Sequence, residues 1–340
     1  MSKKNSNVLN LKSIFKKNKK ISEIYSNFKF RLEKTTNKKK FIVGVSGGPD
    51  SLALAALSKM YQHENKVKVF FVLIDHAIRK KSKNEADLVK KLLKRKRINL
   101  KIIRNKEKIE KNIQDKARKV RYGLLSKYCN KNKIRFILTG HHSDDQIETF
   151  LIRLSRGSGI QGLSSMSKMT KLSSKVSLVR PLLDFKKKDL AFIARKVFGK
   201  FIIDPSNKDR KYLRTKIRSL KKELEKSGIH HDQIMRSISN LASTRDTLNN
   251  YLERIIVSCV KRKRNETLIN LKKLYLESNE IKLKILSNAI RDFSKSYYPP
   301  RSKKVFNALK QFNSDKKIKL TLGGCFLEKS GDYLSIRKET

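Results

Sequence analysis

The chain has 340 residues, 38% of them hydrophobic, and carries 83 Lys and Arg against 30 Asp and Glu, a formal net charge of +53. This composition supports hydrophobic cores and excludes a wholly disordered chain, and the length suits two domains better than one. Cys129, Cys259 and Cys325 lie far apart with no CxxC, which argues against a cysteine zinc or iron–sulfur site and fits a reducing cytosol.

Residues 1–39 read as a basic arm and lead-in helix, the helix marked by the spacing of Ile21, Ile24, Tyr25 and Phe28. The N-terminus lacks the apolar core of a secretory signal, and no run nears the roughly 18 apolar residues of a membrane span. From residue 41 strands and helices alternate. A buried strand is expected at 41–45, a helix at 52–61, and a strand at 67–74 ending in Asp75-His76. Next come a helix at 84–97, with Ala86, Val89, Leu92 and Leu93 inward, and a strand at 100–103. A helix at 113–128 places Ala117, Val120, Leu124 and Tyr128 on one side, and a strand at 136–138 ends in Thr139-Gly140-His141. Another helix begins near Asp144.

Beyond Leu154 the pattern loosens. Arg156-Gly-Ser-Gly159 and the Ser-rich stretch 164–177 read as loops, 179–183 as a short apolar segment, 188–197 as a helix, and Asp204-Pro205-Ser206-Asn207 as a turn. A boundary is expected near Lys226-Ser-Gly228, separating a domain at 40–226 from one at 227–340. In the latter, Ile234, Ile238, Leu241, Leu248, Leu252 and Ile255 outline a long amphipathic helix, and 280–293 reads as another. Ile318, Leu320 and Leu322 alternate before Lys329-Ser-Gly-Asp332, and Leu334 and Ile336 after it, a hairpin signature. The fold class is thus α/β, a doubly wound parallel sheet followed by a smaller, mostly helical domain with a C-terminal β-hairpin.

In parallel sheets ligands bind beyond the carboxyl ends of the strands. That rule selects Ser46 to Ser51, Asp75-His76 and Gly140 to Asp145. In Ser46-Gly47-Gly48-Pro49-Asp50-Ser51, the glycines let backbone N–H groups approach an anion, and the following helix adds its positive end. Ser46 and Ser51 have hydroxyls for phosphate oxygens. Asp50 beside phosphates has a natural role as a magnesium ligand. The competing role for Asp50 or Ser51 is an ordinary N-cap. GxxxxGK[ST] is absent.

The SGGPDS loop resembles the signature of the N-type ATP pyrophosphatases, which cleave ATP between the α and β phosphates and attach AMP to a substrate oxygen. Other segments are similar to the tRNA(Ile)-lysidine synthetase family. They are Asp75-His-Ala-Ile-Arg79 with Glu85, Ala117-Arg118-Lys-Val-Arg121-Tyr122, and His141-His-Ser-Asp-Asp145-Gln-Ile-Glu148-Thr149. Arg156-Gly-Ser-Gly-Ile-Gln-Gly-Leu163, Arg180-Pro-Leu-Leu183, and Asp204-Pro-Ser-Asn207 followed by Arg214 and Arg218 continue it. Leu322-Gly-Gly-Cys325 is a looser match. The likeness is dense from 41 to 218, and residue 215 is Thr where the family usually has Asn.

That resemblance implies an adenine nucleotide α-hydrolase-like sheet and a cytoplasmic ligase that consumes ATP. It implies adenylation of the wobble cytidine of isoleucine tRNA with a CAU anticodon, and displacement of AMP by free L-lysine. Asp50, Asp145 and His141 are the expected catalytic residues. Ser46, Gly47, Gly48, Pro49, Asp50, Ser51, Asp75 and His76 are expected to bind ATP, and Asp50 with Asp145 to bind Mg2+. Arg118, Arg121, Asp144, Glu148, Arg214 and Arg218 are the expected substrate contacts, and a homodimer is compatible with the family.

Plainer roles compete with these. Acids at a helix start are favoured by the dipole. Asp75 at a strand end is a natural cap. His141 or His142 can polarise the substrate or serve as an acid. A tRNA thiolase needs the CxxC that is missing. A GMP or NAD synthetase-like reaction leaves the charge unexplained, and an RNA-binding protein with a relic nucleotide site would have lost Asp50. The charge favours a nucleic-acid partner, although a Lys-, Asn- and Ile-rich composition of the kind a low-GC genome produces yields the same excess.

Overall fold

The computed structural model describes residues 11–339 except 79–80, 108, 110–112, 203–212, 297–298 and 315, together with the side chain of Gln114. Arg79 and the turn expected at Asp204-Pro205-Ser206-Asn207 lie outside the described residues.

Two helices lead in, α1 (Leu11–Lys17) and α2 (Lys19–Thr36). Asn18 caps α2 by accepting from the Ile21 N–H at 3.1 Å. The expected stripe is real and longer than expected, since Ile21, Ile24, Tyr25, Phe28 and Leu32 are all buried. Alternation of strand and helix then follows: β1 (Phe41–Gly44), α3 (Pro49–Asn65), β2 (Val69–Asp75), α4 (Ser82–Lys94), β3 (Leu100–Arg104), α5 (Ile113–Lys131), β4 (Phe136–Leu138) and α6 (Ser143–Leu154). After α7 (Ile160–Leu163) come β5 (Met169–Lys171), β6 (Ser177–Val179) and α8 (Lys187–Phe198). Two short helices, α9 (Leu213–Ser219) and α10 (Lys221–Lys226), precede the 29-residue α11 (His231–Cys259).

The six strands form one sheet in the order β3-β2-β1-β4-β6-β5, parallel except for β5, which runs antiparallel to β6. The period of two in the strands sends their apolar side chains to both faces. Phe41, Val43, Phe71 and Leu138 pack with α1 to α4 and α8 in one cluster. Ile42, Val72, Ile137 and Leu178 pack with α5 in another. On α5 the buried residues are Ala117, Tyr122, Leu125 and Cys129, while Val120, Leu124 and Tyr128 are only partly buried. Both stripes have helical spacing, and the strands beneath decided which faces in.

Two compact units divide the chain, Met1–Ala242 and Ser243–Thr340. The helix break at Ser227-Gly228 exists, with Gly228 at φ +84°. It is not the boundary, because the start of α11 packs into the first unit, where Ile234 and Ile238 are buried. In the second unit β7 (Val260–Arg262), β8 (Thr267–Asn270), α12 (Leu271–Tyr275), α13 (Asn279–Ser294) and α14 (Ser302–Phe312) precede β9 (Lys319–Thr321), β10 (Cys325–Ser330) and β11 (Tyr333–Lys338). The expected turn joins β10 to β11, but the alternating run at 318–322 is β9, which pairs with β10 and not with β11, and all three belong to a larger five-stranded antiparallel sheet ordered β7-β8-β11-β10-β9. β7 and β8 are only three and four residues long, too short to register as alternation. Among the described residues no helix is long and apolar enough to cross a membrane.

Phe28 is fully buried against the six-stranded sheet's own helices. Phe28→Ala should therefore lower the unfolding free energy by about 3–5 kcal/mol. Urea denaturation followed by circular dichroism checks this, and a change near zero would mean that α2 is only an appended arm.

Candidate active site

β2, β1 and β4 are neighbours, so their carboxyl ends bring three sequence-distant segments into one crevice. After β1 the chain turns through Ser46 and Gly47 into α3, with Gly48 as its N-cap and Pro49 in the first turn, where a missing N–H costs nothing. Gly47 has φ +88°, and a Cβ there would meet Val89 Cγ2 at 2.5 Å, so both backbone and space require glycine. The Ser51 hydroxyl braces the loop. Its Oγ accepts from the Ser46 and Gly47 N–H groups at 3.1 Å each, and it donates to the Gly48 carbonyl at 3.0 Å. Ser46 Oγ is 3.2 Å from Ser51 Oγ. Ser51 thus shapes the loop from within, leaving the first-turn amides of α3 as the anion donors.

The end of β4 lies directly on this loop. A Cβ on Gly140 would sit 2.9 Å from the Asp50 carbonyl oxygen and 3.1 Å from the Ser51 nitrogen. Gly140 is an essential member of the site that residue-type reasoning passes over, because its contribution is the absence of a side chain.

Two residues on, His142 is the hub of an acidic cluster. It is buried, and its Nε2 is 3.6 Å from Asp50 Oδ2 and 3.5 Å from Asp145 Oδ2. Its Nδ1 is 3.8 Å from Asp144 Oδ2. Burial pushes the imidazole pKa down, but the Asp50 carboxylate and the charges of Asp145 and Asp144 outweigh it and raise it overall. Asp145 Oδ2 also accepts from the His142 N–H at 3.1 Å, half of a capping box at the start of α6. Asp144 faces away, held by Lys221 Nζ at 3.0 Å and the Lys187 N–H at 3.2 Å. Burial raises the Asp144 pKa, but these two partners reverse it and hold the carboxyl below its ordinary range.

Asp50 Oδ1 is buried with no hydrogen-bond partner. Among the described residues no three His, Cys, Asp or Glu side chains form a metal cage of their own. Asp50 and Asp145, which meet at His142 Nε2 beside an anion loop and leave one Asp50 oxygen unsatisfied, are the residues that would hold Mg2+.

His141 has the opposite surroundings. Its Nδ1 is 2.9 Å from Thr139 Oγ1. Burial, then the charges of Arg180, Arg118, Arg214 and Arg121, push its pKa down to about 3. It is a neutral hydrogen-bonding group at ordinary pH and not a charged acid. Arg118 stacks on Tyr122, 5.0 Å from the ring centroid. Arg121 Nε and Nη2 both lie 3.4 Å from His76 Nε2. Burial, with Arg121 next, lowers the His76 pKa to about 4 against the opposing Asp75 charge. Asp75 is buried and plays the plain capping part, accepting from the Ala77 N–H at 2.9 Å, with Arg104 Nε at 3.7 Å.

Glu148, Arg214 and Arg218 form one network. Arg218 grips buried Glu148 in a bidentate pair, Nε–Oε1 at 2.5 Å and Nη2–Oε2 at 3.1 Å. Arg214 Nε is 3.6 Å from Glu148 Oε2, and its Nη2 is 3.3 Å from Thr149 Oγ1. These arginines, expected at an RNA surface, therefore bind α9 to α6. Beside them lies a cavity of about 270 Å³, walled by Ile147, Leu151, Ile217, Leu224, Ile229 and Ile234 and bearing Asp144, Glu148, Glu225, Lys187, Arg218, Lys221 and His231.

A family model described as a PP-loop domain matches residues 15–224. The tRNA(Ile)-lysidine synthase of Wolbachia pipientis wMel is 35% identical over 305 residues, covering 88% of this chain and 70% of the relative. That of Orientia tsutsugamushi (strain Boryong) is 34% identical over 315 residues, with the same coverage of 88% and 70%. Among solved structures, the U34-tRNA thiolase NcsA from Methanococcus maripaludis, with its 4Fe-4S cluster, superposes with a TM-score of 0.53 at 21% identity. It covers 65% of this chain and 80% of the thiolase, a likeness of fold.

Gly140→Ala should destabilise the protein by about 1–3 kcal/mol through overpacking against Asp50. Gly123→Ala, in α5 with nothing within 4 Å of the added methyl, should instead be neutral or stabilising by up to about 1 kcal/mol. Thermal denaturation of the two variants separates the effects. For His141 the folded pKa lies below the unfolded one, so in that window the unfolded chain binds the extra proton. Its contribution is present above the unfolded value, near 6.5, and is lost as pH falls toward about 3. His141→Gln should lose less stability than the parent between pH 6.5 and 4, measured by urea denaturation across pH.

Proposed function

This chain belongs to the tRNA(Ile)-lysidine synthase family, and we propose that it adenylates the wobble cytidine of isoleucine tRNA bearing a CAU anticodon and joins free lysine to it, releasing AMP and pyrophosphate. The observation that carries the reading is the Ser46–Ser51 loop with Asp50 and Asp145 both drawn to His142 Nε2 at its edge, Asp50 Oδ1 being left without a partner. An anion grip with two carboxylates at its edge suits a nucleotide triphosphate with its metal, and little else.

The loop and the first turn of α3 hold the phosphates of ATP. Asp50 and Asp145 would hold Mg2+, which would neutralise charge on the leaving pyrophosphate. The 2-oxo group of the cytidine attacks the α phosphorus, which leaves that carbon bearing AMP as a leaving group. The lysine ε-amine then adds to the carbon, and AMP departs with the oxygen. Neutral His141 offers the cytidine a hydrogen bond, and Arg118 and Arg121 beside it attract its phosphates.

Asp50→Ala should lower ATP–pyrophosphate exchange by about 10²–10³-fold, the loss typical of removing one preorganised charge-stabilising group, while tRNA binding measured by filter retention stays near the parent value. The parent should transfer labelled lysine to an isoleucine tRNA transcript with a CAU anticodon. Transfer of sulfur or ammonia in its place, or unchanged exchange in Asp50→Ala, would overturn the assignment.

A further inference from the structure

The acidic half of the site rides on the first turn of α6, and something outside α6 must hold that turn. Ser143, between His142 and Asp144, is 1% exposed. Its N–H and its hydroxyl both reach the Phe185 carbonyl, at 3.0 and 2.9 Å. On the other side, His231 Nε2, at the start of α11, lies 3.1 Å from Ser143 Oγ. His231 Nδ1 is 3.0 Å from Asp232 Oδ1. Asp232 Oδ1 is in turn 3.1 Å from Lys186 Nζ, the residue next to Phe185. These contacts close a ring through Ser143, Phe185-Lys186, Asp232 and His231.

The chemistry of the ring is directional. The Ser143 hydroxyl has a single proton and donates it to the Phe185 carbonyl, so its oxygen is the acceptor for an N–H at His231 Nε2. The Lys186–Asp232 pair is exposed and contributes little. The His231 side chain is only 15% exposed, so its contact with Ser143 is the sheltered part of the ring. That contact bears on the peptide between His142 and Asp144, one residue from the carboxylate of Asp145.

We propose that His231 is a positioning residue for lysine transfer, fixing through Ser143 the turn that aims Asp145 and His142 at Asp50. It touches none of the reacting atoms. The inference rests on the lysidine-forming reading for its kinetic consequence, and on the structure alone for its geometric one. Displacement of a catalytic group by about 1 Å costs up to roughly 10²-fold in rate, so loss of one sheltered hydrogen bond should fall short of that.

The test compares His231→Leu, His231→Gln, Ser143→Ala and the His231→Leu/Ser143→Ala double variant. His231→Leu and Ser143→Ala should each lower kcat for lysine transfer by about tenfold with KM for lysine within about twofold, and the double variant should be no worse than either alone, as for two halves of one contact. His231→Gln, which keeps an N–H donor at that reach, should recover most of kcat. The second readout is Mn2+ affinity by electron paramagnetic resonance in the presence of a non-hydrolysable ATP analogue, which should weaken in parallel in the two single variants. Additive losses, a rise in KM for lysine with Ser143→Ala silent, or a lower Tm with unchanged kcat would overturn the proposal. If the parent transfers no lysine, the functional reading fails and the Mn2+ titration decides alone. Unchanged affinity in His231→Leu and Ser143→Ala overturns the positioning role, and a matched loss upholds it.

Discussion

Gly140 lies against the backbone of Asp50 and Ser51 with no room for a methyl group, and the arrangement of the site follows from that approach. It is possible because β1 and β4 are hydrogen-bonded neighbours in a parallel sheet, so that the turn leaving one strand rests on the turn leaving the other. Any side chain at 140 would lift α6 away from the anion loop and carry Asp145 and His142 with it. One missing carbon atom thus keeps the acids of α6 within reach of Asp50.

From that contact the crevice divides electrically. His141 and His142 are adjacent in sequence and point into different fields. One sits among arginines and is held neutral; the other sits among aspartates and is driven toward its charged form. The same division explains why the positive charge of the chain does not flood the site. Lys221, Arg218 and Arg214 are spent on Asp144 and Glu148, which fastens α9 and α10 to α6 and lowers the cost of burying those carboxylates.

Much of the first unit was legible from residue patterns. The four strands from β1 to β4 have the apolar, β-branched runs that buried parallel strands require, and α4 between them carries a clear apolar stripe. The anion loop was legible too, since glycines, a first-turn proline and an acid between a strand and a helix leave few alternatives. Short strands such as β5 and β7 carry too few residues to show alternation. For α5 the sequence offered two acceptable stripes, and packing on the sheet chose Tyr122, Leu125 and Cys129.

The chain's own order of residues therefore determined the sheet, the loop and the set of acids and bases delivered to the strand ends, because those depend on periodicity and on which residue types border a strand. Which of two neighbouring histidines meets the carboxylates, which arginines are consumed by Glu148, and that Ser51 braces the loop from inside were decided only by the tertiary structure. Those outcomes depend on distances of a few ångströms between segments far apart in the chain, and on the field that their assembled charges create there.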